Sequence, residues 1–506
     1  MSRILLLLIF VLWMAAPQYA QRPSHDAWIG VAIFLGYYVL LVLVMGVWGR
    51  LLARRVSTGN LRRNLRRFHV TLLVARAMIP IWFAFGVFGL GWGEVVHKAL
   101  GFEALRTAQL PGLLLATLPP MAAWMGLWWS QYPAEIALRE HSLLGALEAD
   151  LPIHAPPRFR DYFTSNLRLR LLFTVVPIFL IVLMRDLFLL AARTSHLNVS
   201  DESLEVGAML LSAGTVFLFA PEILRRVLHT EPLDHGPLRQ KLEAMCAKSR
   251  MRVQDILVWR THNNMGNAAV MGVLPQMRYV LLSDLLLETM TDEQIEAVFA
   301  HEMGHVVHRH MPWFVVFFVT IMVSMQGAFE WIDKLGFVGE LPEWTKPILV
   351  SGGFFWVLLL FGFLSRRFER QADVFAARTM QEKQPGVPAA ASRSYVGEYG
   401  AKLFASALQR VAAINNMPVG SYRRWEGGLR KRAAFLMERA SDLAHHWLHG
   451  SIQDRQNYLQ RISTNPQQTF RFDRFMVHLS FTLLFLLAAS SAFLWSDLLV
   501  GLLRRL

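Results

Sequence analysis

A single cysteine, Cys246, stands in a chain of 506 residues. One thiol cannot close an intramolecular disulfide or seed a cysteine-rich metal centre, so any metal must be held by histidines and carboxylates. Charge is also sparse: 17% of residues are Asp, Glu, Lys or Arg, while 54% are hydrophobic. That balance excludes an ordinary soluble domain, whose charged share is about a quarter. The apolar residues gather into runs at 28–48, 70–92, 110–129, 171–192, 206–224, 312–331, 347–364 and 477–495. A helix crosses a bilayer with about 20 such residues, so the chain reads as a mainly α, polytopic membrane bundle. A shorter run at 5–16 follows Arg3 and precedes Ala20 and Gln21. Residues 1–26 therefore read as a signal peptide or, preferably, an N-terminal anchor.

Acidic residues are outnumbered, 37 against 51 basic ones, for a net charge of +14. Such an excess invites a nucleic-acid reading, but the arginines sit in alternate loops. Arg50, Arg54, Arg55, Arg62, Arg63, Arg66 and Arg67 crowd one loop, and Arg158, Arg160, Arg168 and Arg170 another, whereas 93–107 and 194–205 are poor in them. This is the positive-inside pattern, which makes the lipid bilayer the partner and needs no nucleic acid. Counting through the spans puts 225–311 and 365–474 on the cytoplasmic side, or in a chamber open to it. Arg504 and Arg505 would then end outside, unless the chain from 496 returns along the surface. Arg76, Arg185, Glu222 and Glu330 fall within or near spans. Charge at that depth marks a wet interior unless it snorkels to the interface.

One stretch couples a helix start to a metal-binding spacing: residues 291–305, Thr-Asp-Glu-Gln-Ile-Glu-Ala-Val-Phe-Ala-His-Glu-Met-Gly-His. Thr291 and Gln294 make a capping box. His301 and His305, one turn apart, share a face and can reach one ion in the H-E-x-x-H spacing of zinc peptidases. Glu302 is too close along the helix to join that coordination sphere, but it can reach a water at the metal's open position as general base. Two histidines leave the site one ligand short. His308 and His310 follow, yet on an unbroken helix His308 lies a further turn along and His310 points elsewhere. A metzincin is excluded, because His308 stands where its bending glycine would be and Met311 where its third histidine would be. The missing ligand is expected from 365–373, Ser-Arg-Arg-Phe-Glu-Arg-Gln-Ala-Asp. Glu369 and Asp373, four apart on a helix, can divide two tasks: one binds the metal and the other holds a histidine ring. With only Arg366, Arg367 and Arg370 for company the pair would be a solvated charged face; beside His301 and His305 the metal reading prevails.

The chain thus divides into a five-span region at 27–224, a peptidase part at 225–311, a membrane hairpin at 312–364, a second peptidase part at 365–474 and a C-terminal membrane segment at 475–506. Within the first peptidase part, an amphipathic helix is expected over 238–250, then strands over 255–259, 267–271 and 279–282, punctuated by Gly266, Gly272 and Pro275. The strand at 267–271 is the candidate sheet edge, where an extended peptide would add as another strand. Further on, 381–399 reads as a loop, 401–415 as a helix, and 423–439 as a basic stretch near anionic lipid or the site.

These residues together, His301-Glu302-Met303-Gly304-His305, an apolar hairpin, and the 365–373 segment, resemble the integral-membrane zinc metallopeptidase family of type I CAAX prenyl endopeptidases and HtpX-like heat-shock membrane proteases. The resemblance extends to Asn267-Ala268 and to the 449–455 segment, and covers about 225–461. It implies a gluzincin-type domain with a small β-sheet and one Zn2+ per chain, bound by His301, His305 and Glu369, with Glu302 activating water. Asp373 would orient a zinc-bound imidazole, that of His301. Asn267, Ala268 and Ala269 would meet the substrate backbone, and His449 and Arg455 would steady the oxyanion. Gly450, where many relatives carry proline, the insert from Gln381 and the extra C-terminal span depart from the pattern.

The expected function is zinc-dependent endopeptidase action on membrane-associated or lipidated proteins, either as quality control or as site-specific cleavage near a lipidated C-terminus. A transport or scaffold protein with a vestigial metal site is the competing class. A complete set of ligands and base counts against it.

Overall fold

The structure, a computed structural model, describes residues 2–19, 27–56, 61–99, 108–148, 156–195, 200–263, 265–334, 345–386, 395–415 and 449–494. The basic stretch 423–439, residues 387–394 of the expected 381–399 loop, and Arg504 and Arg505 lie outside them. Two compact units are present: Met1–Glu231 with Trp259–Asn264, and Pro232–Val258 with Met265–Leu506.

The first unit is helical: α1 Ser2–Tyr19, α2 Ala27–Val56, α3 Leu61–Phe88, α4 Trp92–Ala99, α5 Gln109–Glu148, α6 Phe159–Asn166, a π-helical turn Leu167–Leu172, α7 Phe173–Thr194 and α8 Asp201–Val227. Its core is aromatic, with Phe34, Phe83, Trp124 and Trp128 fully buried. Indole and phenol donors tie neighbouring helices: Trp82 Nε1 donates to Phe34 O at 3.0 Å, and Tyr38 Oη to Ile79 O at 3.1 Å. Where α2 meets α5 the backbones come close enough that a Cβ on Gly49 would stand 2.6 Å from Ser130 O. Small residues at such contacts are how membrane helices pack without a hydrophobic drive between them. The outer faces stay apolar, with Val39, Leu40, Leu43 and Val47 exposed, as a lipid-facing surface requires. Arg185, left open by the sequence, is buried and paired with Asp186 at 2.9 Å rather than extended to an interface.

Seven helices among the described residues are long and apolar enough to cross a membrane, two of them in the second unit: His310–Ala328 and Pro466–Leu494. The expected span 347–364 is not among the seven; it forms the first half of a longer helix. That unit begins with β1 Thr230–Pro232 at the boundary, then α9 Pro237–Lys248, β2 Asp255–Trp259, β3 Ala268–Met271, β4 Tyr279–Ser283, α10 Asp284–Thr289, α11 Asp292–Val307 and α12 His310–Lys334. After it come α13 Thr345–Gln381, α14 Glu398–Ile414, α15 Ile452–Thr464 and α16 Pro466–Leu494. The strands follow the order β1-β2-β4-β3, so β3 is an edge, antiparallel to β4 with Ala268 opposite Leu282. It starts one residue later than expected because the Asn267 backbone N–H turns to Ser283 Oγ at 2.8 Å.

The helix α11 starts where its capping box dictates, with Thr291 Oγ1 accepting from Gln294 N–H and Gln294 Oε1 from Thr291 N–H, both at 3.4 Å. Its inner face, Phe299, Ala300 and Met303, is fully buried with Phe404 of α14 and Ala376 of α13 in one core. What lets α11 lie directly on α13 is Gly304: a Cβ there would stand 2.9 Å from Ala372 Cα and 3.2 Å from Ala372 Cβ. Replacing Gly304 with alanine is expected to force the helices apart at a cost of about 1–3 kcal/mol, typical of overpacking. A lowered unfolding temperature in detergent measures this, and an unchanged one would show that the contact is not tight.

Candidate active site

Three elements of the second unit converge on one point: α11 brings His301, Glu302 and His305, α13 brings Glu369 and Asp373, and the segment leading into α15 brings His449 and Arg455. The three presumed ligands do meet. One ligand atom each from His301, His305 and Glu369 lies within 4.8 Å of the others. His305 Nε2 stands 3.3 Å from His301 Nε2, His301 Nε2 3.5 Å from Glu369 Oε2, and His305 Nε2 3.7 Å from Glu369 Oε1. A tetrahedral ion with bonds of about 2.0–2.1 Å sets its ligand atoms about 3.3–3.4 Å apart, so the cluster fits such an ion with little movement. Glu369 Oε2 is buried and, among the described residues, is met only by the longer contacts to His301 Nε2 at 3.5 Å and Arg455 Nη1 at 3.7 Å, which suits a group built to meet a cation.

Asp373 is fully buried, with Oδ1 3.0 Å from His301 Nδ1. Arg455 grips the same carboxylate twice, through Nε at 2.9 Å and Nη2 at 2.6 Å, and leaves Nη1 3.7 Å from Glu369 Oε2. Arg455 is therefore chiefly engaged in holding a buried charge. His449 is different: its side chain is 65% exposed, and Nδ1 makes a 2.8 Å hydrogen bond with Glu369 Oε1.

Proton affinities follow from these contacts. Burial works against the His301 imidazolium, but hydrogen bonds with Asp373 and Glu369 outweigh it and raise its pKa to about 9. Burial, reinforced by the nearby His301, lowers His305 to about 4. Glu369 lies well below the usual carboxylate value: burial would raise it, yet hydrogen bonds with His301 and His449 prevail. In Glu302 burial wins and the pKa rises, even though His301 and a hydrogen bond from the Val270 backbone N–H favour the anion. That bond also ties Glu302 to the edge strand β3. Asn267, Ala268 and Ala269 lie at the beginning of that strand, Ala268 and Ala269 within it.

One sequence expectation fails here. The helix is not continuous past His308: Arg309 takes φ 56°, the left-handed region that favours glycine, and α12 starts afresh at His310. His310 consequently folds back onto His305, with Nδ1 atoms 2.9 Å apart. The available signal was Pro312, since proline is common in the first turn of a helix and rare inside one.

The described residues thus combine membrane-length helices, a small sheet with β3 at its edge and a histidine–histidine–carboxylate cluster beside a buried core. Residues 232–463 match the model of Peptidase family M48. The chain is 28% identical over 160 residues to a CAAX prenyl protease 1 homolog of Arabidopsis thaliana, covering 29% of this chain and 38% of that protein. It is 26% identical over 147 residues to Protease HtpX of Legionella pneumophila (strain Corby), covering 28% of this chain and 52% of that one. The chain therefore spans between about a third and about a half of these relatives. The crystal structure of S. mikatae Ste24p shares the fold, with TM-score 0.51 and 15% identity over 86% of this chain and 100% of that one. Over residues 232–463 the chain is thus similar to Peptidase family M48, and the relatives it resembles there are CAAX prenyl proteases and HtpX proteases.

The grip of Arg455 on Asp373 generates a stability prediction. Arg455→Met leaves a buried carboxylate with only His301 beside it and is expected to destabilise the fold by about 3 kcal/mol, the lower end for breaking a buried pair. Adding Asp373→Asn should recover much of the loss, because the buried carboxylate that Arg455 had paired is then removed as well. Thermal unfolding of the single and double variants checks both.

Proposed function

We propose that the chain is a zinc-dependent endopeptidase, cutting peptide bonds of membrane-associated or lipidated proteins at a site open to the cytoplasm or to a chamber continuous with it. The observation that carries this is the convergence of His301, His305 and Glu369 with Glu302 one residue from the first of them. When bound, zinc would polarise the scissile carbonyl and make water acidic enough to be deprotonated near neutral pH.

The chain's own residues supply the rest. Glu302 takes the proton from the attacking water and passes it to the leaving amine. A carboxylate with a raised pKa suits both transfers, since it neither holds the proton too weakly nor releases it too slowly. Among the described residues no strand lies beyond β3, so its edge can take an extended substrate, and Asn267, Ala268 and Ala269 lie along it. The Val270–Glu302 hydrogen bond supports that placement, because it sets the base beside the strand that would hold the peptide. His449, exposed and within reach of Glu369, is the better donor for the developing oxyanion. Arg455, committed to Asp373, acts on the same charge from a distance.

Glu302→Gln is expected to lower turnover of an unfolded membrane-protein substrate by about 10²–10⁴-fold, with bound zinc unchanged. Full activity in that variant removes the general-base assignment. Zinc binding itself has a pH signature. In the metal-free protein His301 keeps its proton up to a pKa of about 9, and it must be neutral to coordinate. Binding at pH 7 should therefore release about one proton, and the release should fade as pH rises past 9. Calorimetry in buffers of different ionisation enthalpy reads this directly; no release at pH 7 contradicts it.

A further inference from the structure

We infer that His310, with Gln371 behind it, is the positioning residue for His305: a neutral relay that fixes which nitrogen of that ring faces the metal. The inference rests on reading His305 as a metal ligand. His305 turns Nε2 toward His301 and Glu369, so a ligand at that atom needs a bare Nε2 and a proton on Nδ1. The Nδ1–H donates to His310 Nδ1 at 2.9 Å. His310 must then carry its own proton on Nε2, and that atom lies 2.9 Å from Gln371 Oε1, which can only accept. Each link has one donor and one acceptor, and only this assignment of protons satisfies all three residues.

The surroundings leave the relay little freedom. His310 is 1% exposed, so water cannot take its place. Its ring lies flat on Phe368, centroids 4.3 Å apart and planes within 4°. The left-handed turn at Arg309 aims it back at His305. Gln371 projects from α13 between Glu369 and Asp373, so one helix turn serves both histidines. The two ligands are nonetheless held differently, His301 against the buried carboxylate of Asp373 and His305 against an uncharged ring. A carboxylate partner makes its imidazole the more basic ligand, and a neutral partner fixes orientation without adding charge to the metal site.

The test is the zinc affinity of purified full-length protein, by competition with a chelator, together with the visible spectrum of the cobalt-substituted form. His310→Phe keeps a flat ring on Phe368 but removes the acceptor. It should weaken zinc binding by about 10–100-fold and shift the cobalt bands. His310→Asn restores an acceptor near the lost Nδ1 and should recover most of both. Gln371→Leu, which leaves His310 in place with its tautomer unfixed, should give a smaller loss and a smaller shift; it decides the matter if His310→Phe does not fold. Unchanged affinity and spectrum in the folded variants, or His310→Asn no better than His310→Phe, overturns the relay. A wild-type protein that binds no zinc overturns instead the ligand reading beneath it.

Discussion

The contact of α11 with α13 at Gly304 and Ala372 is what the site depends on. Two histidines on one helix and a carboxylate on another form a metal cluster only if the two backbones nearly touch. A side chain at position 304 would hold them apart. The glycine lies between the two histidines of the motif, so the residue that permits the approach sits at its centre. Pressed together, the helices bury the charged groups between them, and burial sets the rest of the chemistry.

Burial without pairing would make this arrangement untenable. Asp373 and Glu369 lie in the interior with His301 and Arg455, and each charge has an opposite neighbour within hydrogen-bonding or ion-pair distance. The segment 449–455 closes the network from a distant part of the sequence, bringing one exposed imidazole and one buried guanidinium to the same pair of carboxylates. Glu302 is the exception. It gains only partial compensation from His301 and from a strand N–H, which leaves its proton affinity raised.

The membrane helices and the sheet serve this centre in different ways. Between its two ligand-bearing helices the chain passes through α12, whose apolar face is shared with α16, with Ser324 and Ser490 bonded at 2.8 Å across them. Among the described residues the sheet stops at β3, whose Val270 N–H meets Glu302.

The sequence by itself determined the elements whose information is local: the apolar runs, the capping box at Thr291, the one-turn spacing of His301 and His305, the four-residue spacing of Glu369 and Asp373, and the short strands punctuated by glycine and proline. Each of these is set by neighbours within a turn or two, and periodicity reports such neighbours. Tertiary structure alone decided that Arg455 pairs with Asp373, that Arg185 is buried with Glu205 of another helix 3.5 Å away, and that His310 returns to His305. Those outcomes rest on contacts between residues far apart in the chain, or on a single left-handed residue at Arg309. A helical repeat cannot express a one-residue reversal, because nothing in the side chain of arginine marks it.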